Sequence, residues 1–398
     1  MHAPLLHGLI SAWLRVTNAN NMTTWIAHGS LLGWYWNGIS FPWDADYDVQ
    51  MPIADLHKLS RQFNQTVIVD FGTSNSQEVR LGRYFLDCGT WVSHRGPGNG
   101  LNNIDARFID MDSGLYIDIT GLAVSPITAP ERYESQLPAE LQRPVGFNSS
   151  RADPETEFRR NMAGHLYNCR NRHFSSLQEI SPLRLTLMEG VPAYIPNNFT
   201  AMLEAEYSAR GINGQIFRSH TFLPRLRLWV PSKILSHYSQ NIQHQAAKQV
   251  DLGDHVPGAL EHVDKYWIYE FSDQDYLEMM NLEKEMLFEY LVTKDTTVIH
   301  QEEMELLLSD QSTEDFFFED GVFKHKLGHL RRDINNYMAV KQHREFPEKL
   351  REYMDMYQSY KKGEEYVGSD QLPIPAPQAL SPIRLQSPGQ GLTRNRMG

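Results

Sequence analysis

Asp44, Asp46 and Asp48 recur at every second position within the run Phe41-Pro-Trp-Asp-Ala-Asp-Tyr-Asp-Val-Gln-Met51. A period of two is that of a half-buried strand, with the carboxylates on one face and Ala45, Tyr47 and Val49 on the other. Three like charges so spaced repel one another and disfavour the strand unless a cation neutralises them. Oxygen-only donors suit Mg²⁺ or Mn²⁺, hard cations that also bind phosphates. Three readings compete: a solvated acidic turn, an EF-hand loop, and a divalent-metal phosphotransfer site. The flanking Phe41, Trp43, Tyr47, Val49 and Met51 argue against the first. An EF-hand loop starting at Asp44 needs Gly at its sixth position and Glu at its twelfth, and this chain has Val49 and Asp55 there.

The segment just upstream favours phosphotransfer. Thr24 to Ala27 reads as a strand, and a short helix from Ser30 is closed by Gly38. Gly29 between them lets backbone approach a phosphate, and a helix N-terminus offers free N–H groups with a positive dipole end. Ser30 caps that helix or donates to a phosphate oxygen. Downstream, Arg107 to Met111 and Leu115 to Val124 flank Asp112-Ser113-Gly114 and form a β-hairpin. Its second strand carries Asp118 opposite Ile117 and Ile119, and a carboxylate amid apolar strand residues is costly unless paired or ligating. Asp110 is a weaker rival for that place. Pro52 to Phe63 reads as a helix, and Val67 to Phe71 and Val79 to Leu86 as strands.

Composition narrows the class. In 398 residues, 41% are hydrophobic and 22% charged, which fits one large globular domain with elaborations and excludes collagen-like, coiled-coil and wholly disordered chains. Thirty-seven basic against 49 acidic residues give a net charge of −12, so nucleic acid and anionic membranes are not expected partners. Two cysteines, Cys88 and Cys169, exclude a disulfide framework and any four-cysteine zinc module but allow one bridge. His165, Cys169 and His173 are four apart, so on a helix they would share a face that suits zinc. With no fourth ligand visible, packing of Cys169 or its pairing with Cys88 is the alternative.

The stretch Trp25 to Trp43 lacks charge until Asp44, but it holds His28, Ser30, Asn37, Ser40, three glycines and Pro42, so no transmembrane segment is expected. The first fourteen residues read as an amphipathic surface helix, not a signal peptide. Sequons at Asn21, Asn64, Asn148 and Asn198 fit either chance or glycosylation in a secretory lumen. Residues 1–23 are an N-terminal helix, 24–235 the catalytic unit, and 236–362 a helical C-terminal region. The Pro- and Gly-rich 363–398 is a tail too poor in apolar residues to order itself. The loop His94 to Asn103 reads as mobile. Lys324, Lys326, Arg331 and Arg332 make a small basic patch that a solvated helix face accounts for. Trp229, Tyr266, Trp267 and Tyr269 suit sugar stacking or, more simply, core packing.

Gly-Ser, a paired-Asp strand and a later strand Asp together resemble the nucleotidyltransferase superfamily. More narrowly, HGSLLGWYWNGISFPWDADYDVQM resembles the signature of the LicD/fukutin family of phosphosugar and phosphocholine transferases. The likeness continues through YIDITGL, Ser181-Pro-Leu183, Glu189-Gly-Val-Pro192, Ile195-Pro196 and Glu206-Tyr207. It spans about residues 24 to 230 and is most similar to fungal members associated with mannosylphosphate transfer to N-glycans. Bacterial members carry Arg where this chain has Trp36, many have Asp at Ala45, and Gly commonly stands where Ser208 does. The resemblance implies an α+β fold: a nucleotidyltransferase-like mixed β-sheet core, flanking helices and a helical C-terminal region.

By the same resemblance, the activity is metal-dependent transfer of a sugar-1-phosphate, for example mannose-1-phosphate from GDP-mannose, to a glycan hydroxyl. Asp46, Asp48 and Asp118 would be catalytic and hold Mg²⁺ or Mn²⁺. Gly29 and Ser30 would bind phosphates, with Asp44 as an outer ligand. Arg80, Arg83 and Arg107 are candidate phosphate clamps or else ordinary ion-pairing arginines. The partners implied are a nucleotide-diphosphate-linked donor and a glycan acceptor, in the Golgi or secretory lumen. Either a partner transferase or a membrane anchor outside this chain holds it there, or the chain is cytosolic. The rival class is a non-catalytic regulator of such a transferase. Within the enzyme class, phosphocholine or polyol-phosphate donors remain.

Overall fold

The computed structural model describes residues 2–70, 82–95, 102–144, 146–147, 152–224, 226–235, 247–250, 266–269, 279 and 282–318. It has the expected α+β architecture, built on one six-stranded mixed sheet. The sheet strands are β1 (Trp25–Ile26), β2 (Asp46–Pro52), β3 (Thr66–Asp70), β4 (Gly82–Cys88), β5 (Ala106–Asp110) and β6 (Tyr116–Leu122), in the order β1-β2-β6-β5-β4-β3. Every neighbouring pair is antiparallel except β2 and β6, which run parallel. Their connection crosses through α3 (Ile53–Phe63) and the meander β3-β4-β5. The hairpin read from the sequence is β5-β6, and the acidic strand is β2.

Alternation places the core. Tyr47, Val49 and Met51 of β2 and Ile117 and Ile119 of β6 are at most 1% exposed. On this apolar side lies α1 (His2–Ala19). The expectation of an amphipathic surface helix fails here: Leu9, Ile10 and Trp13 are fully buried, and His7 and Ser11 are buried with them. Apolar residues at 5, 6, 9, 10, 12, 13 and 14 wrap more of the cylinder than a one-sided stripe does, so the helix packs as a core element. At Gly121 a Cβ would stand 2.6 Å from the Leu56 side chain, so its absence lets α3 settle onto β6.

Helix α2 (His28–Asn37) begins two residues before the expected Ser30 and ends as expected at Gly38, whose φ of 75° closes it in the left-handed region. After α4 (Pro154–Ala163), β7 (Leu166–Asn168), β8 (Phe174–Ser176) and α5 (Leu177–Ile180) comes a tight hairpin of β9 (Arg184–Met188) and β10 (Val191–Ile195). Glu189 and Gly190 form its turn, both with positive φ, as a two-residue type I′ turn requires. The buried Glu189 carboxylate accepts hydrogen bonds from Ser40 N–H (2.8 Å), Ser40 Oγ (2.9 Å) and Tyr47 Oη (3.1 Å). It thereby clamps the segment after α2 to the back of β2. Helix α6 (Phe199–Asn213) follows, then a small sheet of β11 (Ile216–Phe217), β12 (His220–Leu223) and β13 (Leu228–Pro231).

Of the region expected to be helical, Ala247–Val250 and Tyr266–Tyr269 instead pair as antiparallel strands β14 and β15. Helix does occupy α7 (Lys284–Leu308) and α8 (Glu314–Phe318). Met304 and Leu307 of α7 join the main core, which holds α7 against it. Arg80, Asn148, the basic patch, most of the 94–103 loop and the 363–398 tail lie outside the described residues. So do the side chains of Tyr266, Trp267 and Tyr269. Trp229 is buried among Trp36, Phe41, Trp43 and Phe222, as core packing requires. Cys88 and Cys169 are both buried and free, so no bridge joins them. Among the described residues no helix is long and apolar enough to cross a membrane.

Candidate active site

Parallel register sets Asp48 opposite Asp118 and Asp46 opposite Tyr116. Neighbouring strands lie about 4.8 Å apart, so Asp46, Asp48 and Asp118 share the sheet face away from the core. Asp44 sits in the turn ahead of β2 instead of on the strand, its N–H donating to Phe41 O at 3.1 Å. It nevertheless belongs to the cluster electrostatically. Burial, then the Asp46 and Asp48 charges, push it up to about 7 against the pull of Arg218. Burial likewise pushes Asp48 up to about 7; His28 opposes this, while Asp46, Asp118 and Glu206 add to it. Asp46 is raised by burial and by Asp118.

Carboxylates crowded until they resist ionisation are what a divalent cation relieves, and an all-oxygen donor set fits Mg²⁺ or Mn²⁺. Asp110 takes no part. It lies on the opposite face of β5 from Arg107, buried in the hairpin turn, where it accepts from Ser113 Oγ at 2.6 Å. Arg107, the expected phosphate clamp, is paired with an expected ligand: its Nε donates to Asp118 Oδ1 at 2.7 Å, and its guanidinium lies 4.6 Å from the centre of the Tyr116 ring. Arg83 is exposed and pairs with Asp112.

The start of α2 closes the site. A Cβ on Gly29 would stand in van der Waals contact with Asp48 Oδ2 at 3.4 Å and lie 4.0 Å from Tyr207 Oη, so this glycine sits directly against the carboxylates. Ser30 is buried and is not the helix cap; Ala27 holds that place without a side-chain bond. Instead Ser30 Oγ accepts the Asp48 N–H at 2.8 Å, fastening α2 to β2.

Three residues without an assigned role in the sequence complete the wall. His28 Nδ1 lies 2.9 Å from both Glu206 carboxylate oxygens, and its Nε2 lies 3.1 Å from Gln50 Nε2. Burial works against its protonation, but Glu206 and Asp48 outweigh it and raise its pKa. Burial would raise Glu206, yet the His28 hydrogen bond and charge hold it below the usual range. Burial and Glu206 push the Tyr207 hydroxyl up. Ser208, at φ 59° and ψ 178°, breaks α6 immediately afterwards. That backbone region belongs almost solely to glycine, the residue common at this place in the family that the sequence resembles. Glu206-Tyr207 and the His28 that opens the first motif were the signals available.

The proposed His165, Cys169 and His173 face does not exist, because His165 immediately precedes β7 while Cys169 and His173 lie in the turn between β7 and β8, and none is on a helix. His165 is exposed. His28 takes its place: donor atoms of His28, Cys169 and His173 all lie within 4.8 Å of one another.

Residues 21–91 match the family model described as LicD/FKTN/FKRP, nucleotidyltransferase domain, which bears out the resemblance carried by His28 to Met51. The chain is similar to two Saccharomyces cerevisiae proteins. It is 34% identical over 291 residues to Mannosyltransferase regulator 14 and 32% identical over 295 residues to Mannosyltransferase regulator 4. Each match takes in 56% of this chain but only 30% and 25% of the respective relatives, so the chain spans less than a third of either.

Proposed function

We propose that this chain is a LicD-type phosphotransferase that moves a sugar-1-phosphate, mannose-1-phosphate from GDP-mannose, onto a glycan hydroxyl. The observation that carries the reading is the register of Asp48 against Asp118, with Asp46 beside them and Gly29 leaving backbone access above. Asp46, Asp48 and Asp118 would hold Mg²⁺ or Mn²⁺, which when bound supplies positive charge to the diphosphate oxygens. The acceptor oxygen bonds to the sugar-bearing phosphorus, the bond between the two phosphates breaks, and nucleoside monophosphate leaves with its electron pair.

Asp118 takes the acceptor proton, and Arg107, released from it, turns its planar guanidinium to phosphate oxygens. Gly29 admits the phosphates, Ser30 holds Asp48 in place, and Asp44 stands as an outer carboxylate. His28, hydrogen-bonded to Glu206, stands beside them. A glycan acceptor places the reaction in the Golgi or secretory lumen, where the exposed sequons Asn21, Asn64 and Asn198 would be modified.

A second reading, a regulator of mannosylphosphate transfer, is favoured by two observations. The relatives bear that name, and the Arg107–Asp118 pair neutralises one carboxylate without any metal. Incubating the purified chain with Mn²⁺ and GDP-, CDP- or UDP-linked donors separates the two. Metal-dependent release of nucleoside monophosphate, lost in Asp46→Asn and Asp118→Asn with the fold intact, is expected. Donor binding without release from any donor supports the regulator.

A further inference from the structure

The β7-β8 hairpin brings together a chemistry unlike that of the aspartate cluster. Cys169 is fully buried, and its Sγ lies 3.7 Å from His173 Nδ1. The His173 ring lies 4.4 Å, centre to centre, from that of His28 at the head of α2. One thiol and two imidazoles from separate elements thus point at a common volume, their donor atoms within 4.8 Å of one another.

From these residues we infer a second metal site, for Zn²⁺, held by His28, Cys169 and His173. Zn–S near 2.3 Å and Zn–N near 2.0–2.1 Å place two tetrahedral ligands about 3.6 Å apart, close to the observed Cys169–His173 separation. Sulfur and imidazole donors select zinc over the hard cations suited to Asp46, Asp48 and Asp118, so the two sites do not compete for one ion. Coordination through His28 Nε2 replaces its contact with Gln50 and leaves Nδ1–H donating to Glu206. Such a carboxylate behind a ligating histidine fixes its tautomer and raises its basicity. Water fills the fourth position. Binding releases the Cys169 thiol proton to solvent and forms the metal–thiolate bond, with no change of oxidation state.

The role that follows is positional. His28 directly precedes Gly29, so an ion shared with Cys169 and His173 pins the β7-β8 hairpin to the turn through which phosphates would approach. Nothing in this assignment depends on what the aspartate site transfers.

Cobalt substitution tests it without an activity assay. The purified full chain, loaded with Co²⁺, should show intense visible bands and a thiolate-to-cobalt charge-transfer band at one equivalent. Cys169→Ser and His173→Gln should each abolish the charge-transfer band or weaken Co²⁺ binding at least tenfold. Cys88→Ser, His165→Asn and Asp46→Asn should keep both. Elemental analysis of chain purified without chelators should find about one zinc, and Zn²⁺ added to the cobalt-loaded chain should displace Co²⁺ and abolish the band. Absence of the charge-transfer band in a wild-type chain with native circular dichroism overturns the site, as does a band that follows Cys88 or survives loss of Cys169. If Cys169→Ser fails to fold, the His173→Gln comparison decides alone.

Discussion

Asp48 and Asp118 are register partners on adjacent parallel strands, two carboxylates facing each other where a sheet would ordinarily place neutral or opposite charges. That repulsion makes a site costly to keep empty. Asp48→Asn should therefore stabilise the metal-free chain. Burial first, then Asp46, Asp118 and Glu206, raise the folded pKa of Asp48 to about 7 from the ordinary 3.8, which sets an upper limit on the order of 4 kcal/mol. Mn²⁺ should raise the melting temperature of the wild type and not that of the variant. Unchanged Mn²⁺ stabilisation in the variant would remove Asp48 from the metal site.

Acidity gives a second handle. Asp44 and Asp48 hold their protons to about pH 7 when folded but release them near pH 4 when unfolded. Between those values the folded chain binds more protons, so its stability must fall as pH rises through that window, by up to about 1.4 kcal/mol per pH unit per group. The metal-free chain should melt higher at pH 5 than at pH 8. Asp44→Asn and Asp48→Asn should each flatten the slope. Saturating Mn²⁺, which favours the ionised forms, should flatten it too.

In the proposed site Arg107, already paired with Asp118, would compete with a cation for it. Removing it by Arg107→Ala deletes a half-exposed ion pair worth about 0.2–1 kcal/mol, so Mn²⁺ affinity should rise by up to about fivefold in a calorimetric titration. Donor turnover should fall, because no guanidinium remains for phosphate oxygens. A lower Mn²⁺ affinity would show that the arginine supports the cluster instead of opposing it.

Ser208 carries a backbone strain that glycine would not. Relief of about 1–3 kcal/mol, less roughly 0.5–1 kcal/mol for glycine's greater freedom in the unfolded chain, predicts that Ser208→Gly stabilises. Ser208→Ala should not. Equal denaturation midpoints for the two variants would place the strain elsewhere.

At Gly38 two demands coincide. Its φ is 75°, and a Cβ would stand 2.8 Å from the ring of the buried His300 on α7. Gly38→Ala should cost about 1–2 kcal/mol for the left-handed backbone and a further 1–3 kcal/mol for overpacking against His300. Pairing it with His300→Ala should recover the second part alone, measurable as a coupling in a double-mutant cycle.

Much of this architecture is written locally. The two-residue period of Asp46 to Met51, the Asp112-Ser113-Gly114 turn and Gly38 each state their conformation within a few residues, and the structure follows them. Where long-range packing decides, local pattern misleads. Helix α1 has an amphipathic look but is covered on more than one side by strands from distant parts of the chain. His165, Cys169 and His173 are evenly spaced, yet the helix that spacing assumes is replaced by a hairpin because β7 and β8 pair. The Arg107–Asp118 bond needs the β5-β6 register, and Glu206 reaches His28 from 178 positions away. No period in the sequence encodes either.

The one parallel seam in the sheet also constrains when this protein becomes competent. Strand β2 cannot acquire its acidic partner until the chain has passed over α3 and the meander and returned as β6. A ribosome-bound chain ending before residue 116 would carry Asp46 and Asp48 without their counterpart. The arrangement of three carboxylates is thus completed only once synthesis has laid down every strand of the sheet.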